Sequence, residues 1–323
     1  MKGLQAPPKT DKPSRIFARF LTLIIFAGAA GVVIYTAVVN QQADVAEDIR
    51  PLNLELEDST VIDGFRTNVR QDAGGPTPVV VLHDVDIAGG LILDDLSSGL
   101  GESYHGVRLD LPGFGFSTRM PVEGPHHTVA GLAERVAPVL EERFDAPVLV
   151  IGVGLGGEVA AELALTRPDL IDGVVMADVD FWSEPGFTAS LEGFPWFGKA
   201  ATYTWETGGR FALDNWAPYC EKGGWCPTPE EVSIRSLIIE VADTTDSMHE
   251  FRSTPDAALA PSSLADITVP MAYVWSTEGP VPEDTVERLR RELPNLTVAE
   301  SSTFQAHVED PPTVVSALVS VDQ

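Results

Sequence analysis

Cysteine, lysine and positive charge are all scarce in this chain of 323 residues. Two cysteines, Cys220 and Cys226, exclude a dense disulfide framework and any multi-cysteine metal site. They stand six residues apart in C-E-K-G-G-W-C. In an oxidising compartment they can close one small loop, and in a cytosol they would stay free thiols. Lys and Arg number 21 against 48 Asp and Glu, for a net charge of −27. Residues 1–40 hold five of the bases and one acid, so the remainder carries 16 bases, 47 acids and a net charge of −31. After residue 40 the only lysines are Lys199 and Lys222. Such a surface excludes recognition of nucleic acid or anionic lipid through charge. Internal repeats and long low-complexity tracts are also absent, which leaves one large or two small globular domains.

What the chain does have begins at the N-terminus. Residues 1–19 form a polar, basic tail with Lys2, Lys9, Lys12, Arg15 and Arg19. Residues 20–39 then carry no charge, and twenty mostly apolar residues suffice for a membrane-spanning helix. The far flank is acidic, with Asp44, Glu47 and Asp48 in a linker over 40–50. The positive-inside rule predicts a cytoplasmic N-terminus and an extracytoplasmic main domain over 51–323. No small-x-small cleavage site follows Val39, so the expectation is an uncleaved single-pass anchor rather than a signal peptide. An exported domain also suits a Cys220–Cys226 disulfide.

Beyond the linker, residues 51–70 alternate apolar and polar around Asp63-Gly64, the signature of an antiparallel hairpin. Continuous apolar runs then alternate with helical periodicity: Val79–Leu82, a helical stretch near 90–100, Gly106–Leu109, and a helix over Thr128–Phe144 with Thr128 as its N-cap. Further strands are predicted at 148–153, 173–177, 269–276 and 296–299, with helices at 283–293 and 312–321. That alternation implies a mostly parallel sheet covered on both faces. It breaks at about 181–266, which holds Trp182, Trp196, Trp205, Trp216 and Trp225 and reads as an inserted cap.

The centre of the pattern is V-L-V-I-G-V-G-L-G-G-E-V-A-A-E-L-A-L from Val148 to Leu165, a strand, a sharp turn and a helix. Gly152-x-Gly154-x-Gly156 has the frame of a nucleophile elbow, G-x-S-x-G, with glycine in the serine position. Gly152, Gly154 and Gly157 also fit the G-x-G-x-x-G of a dinucleotide loop, with Asp178 near the place of a ribose-binding acid. Spacing alone leaves both open.

The order of motifs resembles the α/β-hydrolase family over about residues 52–323. Leu82-His83-Asp84 is similar to its L-H-G oxyanion loop. Asp110 to Ser117, D-L-P-G-F-G-F-S, is its most specific signature here, and His307-Val308-Glu309-Asp310-Pro311 resembles its closing H-x-E-x-P. The resemblance favours the elbow and implies an α/β-hydrolase fold with a cap. It also implies a nucleophile, an acid and a histidine in chain order. The matching positions are Gly154, Gly279 and Phe304, none of which can perform those roles. Backbone N–H groups of Val85 and Leu155 would remain as oxyanion donors. His83, Asp84, Asp178 and His307 are the polar residues expected around the pocket, with His307 or Asp178 as substitutes if a site survives. His126 and His127 are expected at the surface or as caps. One histidine and one aspartate at 83–84 make no metal site, and no cofactor is expected.

The resulting expectation is a membrane-anchored pseudoenzyme that serves as a binding or scaffolding subunit of an envelope complex. An envelope protein partner and an apolar or acyl ligand are expected, and nucleic acid is not. The alternatives are an active ester or lipid hydrolase with a non-standard site, and an apolar-ligand-binding module.

Overall fold

In the computed structural model the described residues are 27–28, 30–39, 58–121, 125–182, 200, 220–221, 226, 228–239, 241, 243–253, 259 and 261–322. The chain forms β1 (Asp58–Ile62), β2 (Phe65–Gln71), β3 (Thr77–Leu82), α1 (Asp94–Ser98), β4 (Tyr104–Leu109), α2 (Val129–Arg143), β5 (Val148–Val153), α3 (Leu155–Thr166) and β6 (Ile171–Ala177). Two cap helices follow, α4 (Pro229–Ile239) and α5 (Thr244–Ser253), and then β7 (Met271–Ser276), α6 (Glu283–Glu292), β8 (Thr297–Ser301), α7 (Ala306–Glu309) and α8 (Pro311–Val321).

The eight strands form one sheet in the order β1-β2-β4-β3-β5-β6-β7-β8. The β1–β2 and β2–β4 pairs are antiparallel and every later pair is parallel. The hairpin turns where predicted, because Asp63 and Gly64 both take positive φ, 51° and 82°. Asp63 pairs with no ladder partner, and β1 is described only from Asp58 onward. The stretch near 90–100 is a short 3₁₀ turn, Gly89–Leu93, running into α1. Thr128 caps α2 by accepting the Gly131 N–H at 3.0 Å.

β5 lies at the centre and is buried along its whole length, which is why V-L-V-I-G-V has no polar alternation. Its side chains divide by the two-residue period of a strand. Val148 and Val150 join α2, α3 and α6 in one apolar layer, through Leu132, Val159, Leu163 and Leu289. Leu149, Ile151 and Val153 join α1 and α8 in the other, through Leu96, Val314 and Leu318.

At the carboxyl ends of the strands, the D-L-P-G-F-G turn is held by one buried carboxylate. Asp110 accepts the Gly90 N–H at 2.7 Å, Asn68 Nδ2 at 2.8 Å and the Phe116 N–H at 2.9 Å, and it faces Arg70 at 3.4 Å. The Ser117 hydroxyl donates to the Asp110 carbonyl oxygen at 2.6 Å, so that serine is structural. This hub explains the D-L-P-G-F-G signature: glycines allow the turn to wrap a carboxylate, and the carboxylate fastens β2 and the 3₁₀ turn to β4.

Several expectations meet the structure differently. Of the expected anchor over 20–39, residues 27–28 and 30–39 are described, and they are helical. Among the described residues no helix is long and apolar enough to cross a membrane. The tail over 1–19, the linker over 40–50, and Trp196, Trp205, Trp216 and Trp225 lie outside the described residues. Trp182 is half-buried, with the Arg288 guanidinium 4.3 Å over its ring. Cys220 and Cys226 are joined in a disulfide. His127 is buried rather than exposed, with Nε2 facing the Ser247 hydroxyl of α5 at 3.4 Å, because α5 packs over the start of α2.

Replacing Asp110 by alanine would leave buried donors without an acceptor. The expected loss of unfolding free energy is about 3 kcal/mol. Denaturant titration of Asp110→Ala against the parent measures it.

Candidate active site

The turn between β5 and α3 places Gly154 at φ 51° and ψ −119°, a conformation that costs a residue with a side chain of order 1–3 kcal/mol. The loop after β3 runs directly over it. There the Asp84 carboxylate accepts the Leu155 N–H at 2.9 Å and is also hydrogen-bonded by the Val85 N–H. A Cβ built on Gly154 would fall inside the Asp84 carboxyl group. The space that a side chain at the elbow would use is therefore filled by a carboxyl group from the neighbouring loop. The two backbone donors expected to form the oxyanion site both point at it.

Solvent reaches Asp84 through the mouth of the cleft. Asp84 is exposed there, and the desolvation by the protein packed around its carboxyl pushes the pKa above the ordinary carboxylate value. The Leu155 and Val85 N–H groups oppose the rise, and the nearby charge of Asp86 adds to it. The cleft is a pocket of about 420 Å³. Gly154, Leu155 and Glu158 form its floor, Asp178 and Asp180 its polar wall, and Val129, Phe251 and Val281 its apolar wall.

Each remaining carboxylate is held in place. Glu158, in the first turn of α3, accepts the Leu259 N–H at 2.8 Å. Desolvation pushes its pKa up to about 7, against that hydrogen bond and with the help of Asp84 and Asp180. Asp178 ends β6 at φ 52° and accepts the Ser276 N–H at 2.7 Å and the Ser276 hydroxyl at 2.6 Å. Its pKa is pushed up to about 6 by desolvation, against those bonds. These contacts splice β6 to β7, so Asp178 stands as a fixed wall rather than as a ribose ligand. Asp180 accepts from Thr285 Oγ1 at 3.1 Å and from the Trp182 N–H at 3.2 Å.

The structure gathers Asp84, Val85, Leu155 and Asp178 on one pocket and places His83 and His307 elsewhere. His83 is fully buried. Its Nε2 accepts the Leu111 N–H at 2.9 Å, and its Nδ1 donates to the Asp84 carbonyl oxygen at 2.6 Å. It ties the ends of β3 and β4 together and is no pocket wall. His307 is buried in α7, with Nδ1 unpartnered, and desolvation pushes its pKa down to about 4. It is not among the residues lining the pocket, and it stays neutral across the physiological range. Gly279 and Phe304 are neighbours: a Cβ on Gly279 would meet the Phe304 carbonyl oxygen at 2.7 Å. Glu158 and Asp180 were missed by sequence reasoning. The signal for Glu158 was its place four residues after Gly154, one turn along the same helix face. Among the described residues no group of His, Cys, Asp and Glu could hold a metal ion.

Residues 53–317 match the model of the alpha/beta hydrolase family. The chain belongs to that family. An esterase of Mycobacterium tuberculosis is 34% identical over 106 residues, which is 33% of this chain and 34% of the relative. A pimeloyl-[acyl-carrier protein] methyl ester esterase of Aeromonas salmonicida is 32% identical over 108 residues, or 33% of this chain and 39% of the relative. The aligned part thus spans little more than a third of these curated relatives. The crystal structure of a hydrolase from Pseudomonas aeruginosa PA01 superposes with a TM-score of 0.62 at 22% identity, covering 82% of this chain and 97% of that one, which shows the shared fold. These relatives carry the names of hydrolytic enzymes. They correct the expectation that the chain serves as a binding or scaffolding subunit of an envelope complex. That expectation placed Asp84 at the pocket but treated an elbow without serine as a site without chemistry.

Because Asp84 and residue 154 compete for one space, Gly154→Ser is expected to destabilise the fold by about 2 kcal/mol through backbone strain and overpacking. Adding Asp84→Gly should recover about half of that loss. A double-mutant cycle by thermal or denaturant unfolding measures the coupling.

Proposed function

We propose that this chain is an ester hydrolase of the α/β-hydrolase family that works through carboxyl groups instead of a serine, acid and histidine set. The observation that carries the proposal is the Asp84 carboxyl seated on the Leu155 N–H at the elbow, facing a pocket shared with Glu158. In its protonated form Asp84 relays the backbone donors: the Leu155 N–H holds Oδ1, the Val85 N–H also bonds the carboxyl, and the carboxyl's own O–H donates to the substrate carbonyl. A neutral carboxylic acid kept protonated by its surroundings is an effective oxyanion donor. Glu158, with a pKa pushed up to about 7, is poised to take a proton from water near neutral pH. Water oxygen bonds to the acyl carbon and its proton passes to Glu158. The C–O bond to the alcohol then breaks, and the leaving oxygen takes the proton back. Asp178 keeps the opposite wall in register through Ser276.

The pocket volume of about 420 Å³ and the apolar wall of Val129, Phe251 and Val281 suit a short acyl chain. The acidic lining disfavours anionic substrates.

We also propose that residues 20–39 anchor the chain in a membrane, with the tail over 1–19 in the cytoplasm and the catalytic domain outside. The absence of charge over 20–39 supports this reading, as does the exposure of Val32, Val33, Ile34, Tyr35 and Val38 on the helix. The Cys220–Cys226 disulfide fits an oxidising compartment. Full-length protein should remain in the membrane pellet after alkaline carbonate washing, whereas a chain starting at residue 44 should not. Recovery of the full chain in the supernatant would refute the anchor.

The site reading fixes the pH dependence of p-nitrophenyl ester hydrolysis. Glu158 must be ionised, so activity falls as pH drops below about 7. The proposed role of Asp84 needs its protonated form, so a second fall in activity is expected where that carboxyl ionises. Glu158→Gln should lower kcat roughly 100-fold or more and remove the acid limb. Asp84→Asn keeps an acceptor and a donor, so it should retain most of the neutral rate and lose the alkaline limb. Asp84→Ala should lose roughly 100-fold. Equal activity of Asp84→Ala and the parent would overturn the reading.

A further inference from the structure

The cap reaches the loop of Asp84 on both sides of that residue, directly at Asp86 and through Phe114 at His83. On one side Arg235 of α4, 2% exposed, donates from Nη1 to Asp86 Oδ1 at 2.5 Å. The same Asp86 oxygen accepts the Ala88 N–H at 2.7 Å, so the ion pair is built into the turn after β3. On the other side Phe251 of α5 packs edge-on against Phe114 at 5.8 Å, and Phe114 packs edge-on against His83 at 5.3 Å. His83 in turn holds the Asp84 carbonyl oxygen. Phe251 also forms part of the pocket wall. A half-buried arginine, Arg119, straps the cap independently: its Nε donates to Thr244 Oγ1 at 2.8 Å and its Nη2 reaches the Ile238 carbonyl oxygen at 3.5 Å.

We propose that Arg235 is a positioning residue that couples the docked cap, through Asp86, to the seating of the Asp84 carboxyl on the elbow. The inference rests on the carboxyl-based reading of the site given above. One residue, Val85, separates Asp84 from Asp86 in the same turn, and a buried cation on the second fixes where the first can point. Arg235 also neutralises a negative charge that would otherwise face Asp84 unopposed. The titratable and charged groups around Asp84 are His83 and Asp86 from its own loop, Glu158 from α3, Asp178 after β6 and, through Asp86, Arg235 from the cap. Only the last is a permanent cation. The desolvation that raises the Asp84 pKa is aided by Asp86.

This arrangement makes Arg235 and Asp86 act with opposite sign. Arg235→Met uncovers the Asp86 charge, so Asp84 should hold its proton to higher pH. Asp86→Asn removes that charge, so Asp84 should release its proton at lower pH. Shifts of roughly half a pH unit in each direction are expected from one charge at this separation. A merely structural ion pair would be broken equally by both changes and would move both variants the same way. Arg119 keeps the cap attached in either variant, and Arg235→Lys restores the charge and should restore the parental titration.

The test is carboxyl ¹³C NMR titration of the detergent-solubilised full chain labelled at aspartate, with the Asp84 signal assigned by Asp84→Asn. Hydrolysis of p-nitrophenyl butyrate is measured on the same samples, and circular dichroism checks each fold. Opposite displacements of the Asp84 titration support the coupling. Displacements of one sign, or none, overturn it. If the Asp84 titration shifts in opposite directions while no variant or parent hydrolyses the ester, the coupling stands and the hydrolase reading fails. If the parent turns over and the Asp84 titration does not move, the hydrolase reading stands and the coupling fails.

Discussion

The hydrogen bond from the Leu155 N–H to the Asp84 carboxylate is the contact on which the rest of the site depends. It fills the elbow with a group from another strand end, and so requires glycine at position 154. It turns the two backbone donors of the oxyanion site inward, onto a carboxyl rather than onto a substrate. It brings a third acidic group close to Glu158 and Asp178; desolvation raises all three pKa values, and the charge of Asp84 adds to the rise at Glu158 and Asp178. A serine elbow separates nucleophile from oxyanion donors. Here one carboxyl group stands at both places, and the chemistry left open is proton transfer to and from water.

The scaffold around that contact is rigid for identifiable reasons. Asp110 locks the turn after β4, His83 ties that turn to β3, and Asp178 ties β6 to β7 through Ser276. Each of these residues lies at the carboxyl end of a parallel strand, where open α/β sheets present their binding clefts. The cap is fastened beside the cleft by half-buried Arg119, buried Arg235 and one aromatic, Phe251. Ile238, Ile239 and Met248 of the cap also join the apolar layer of α2 and α3, so these polar bonds orient a cap that apolar packing holds.

Much of the fold was legible because local chemistry and global architecture agree. The Asp63-Gly64 turn, the Thr128 cap and the all-apolar β5 each take the conformation that their residues favour in isolation. The family signature at Asp110 was legible because a wrapped carboxylate needs its glycines. The site was only half legible. Gly154 announced an elbow without a nucleophile, but no spacing rule links Asp84 to it, since 70 residues and two strands separate them. Their meeting is a product of the adjacent placement of β3 and β5. Asp178 was visible as a strand-end acid, and its positive φ and its bonds to Ser276 were not. His307 looked like a spare base because its motif was familiar, but burial in α7 turns it away from the cleft. Arg235 carried no sequence signal, because its partner lies 149 residues away.

In the proposed reaction water, activated between Glu158 and a carbonyl held by Asp84, attacks the ester without a covalent enzyme intermediate. The most direct test is ester turnover in ¹⁸O-labelled water, with mass analysis of the acid product and of the intact protein. Expected are one ¹⁸O in the released acid, no acyl adduct on the protein at any time, and no ¹⁸O in the Asp84 carboxyl after many turnovers. Incorporation into Asp84, a trapped acyl adduct, or no turnover at all would contradict the proposed reaction.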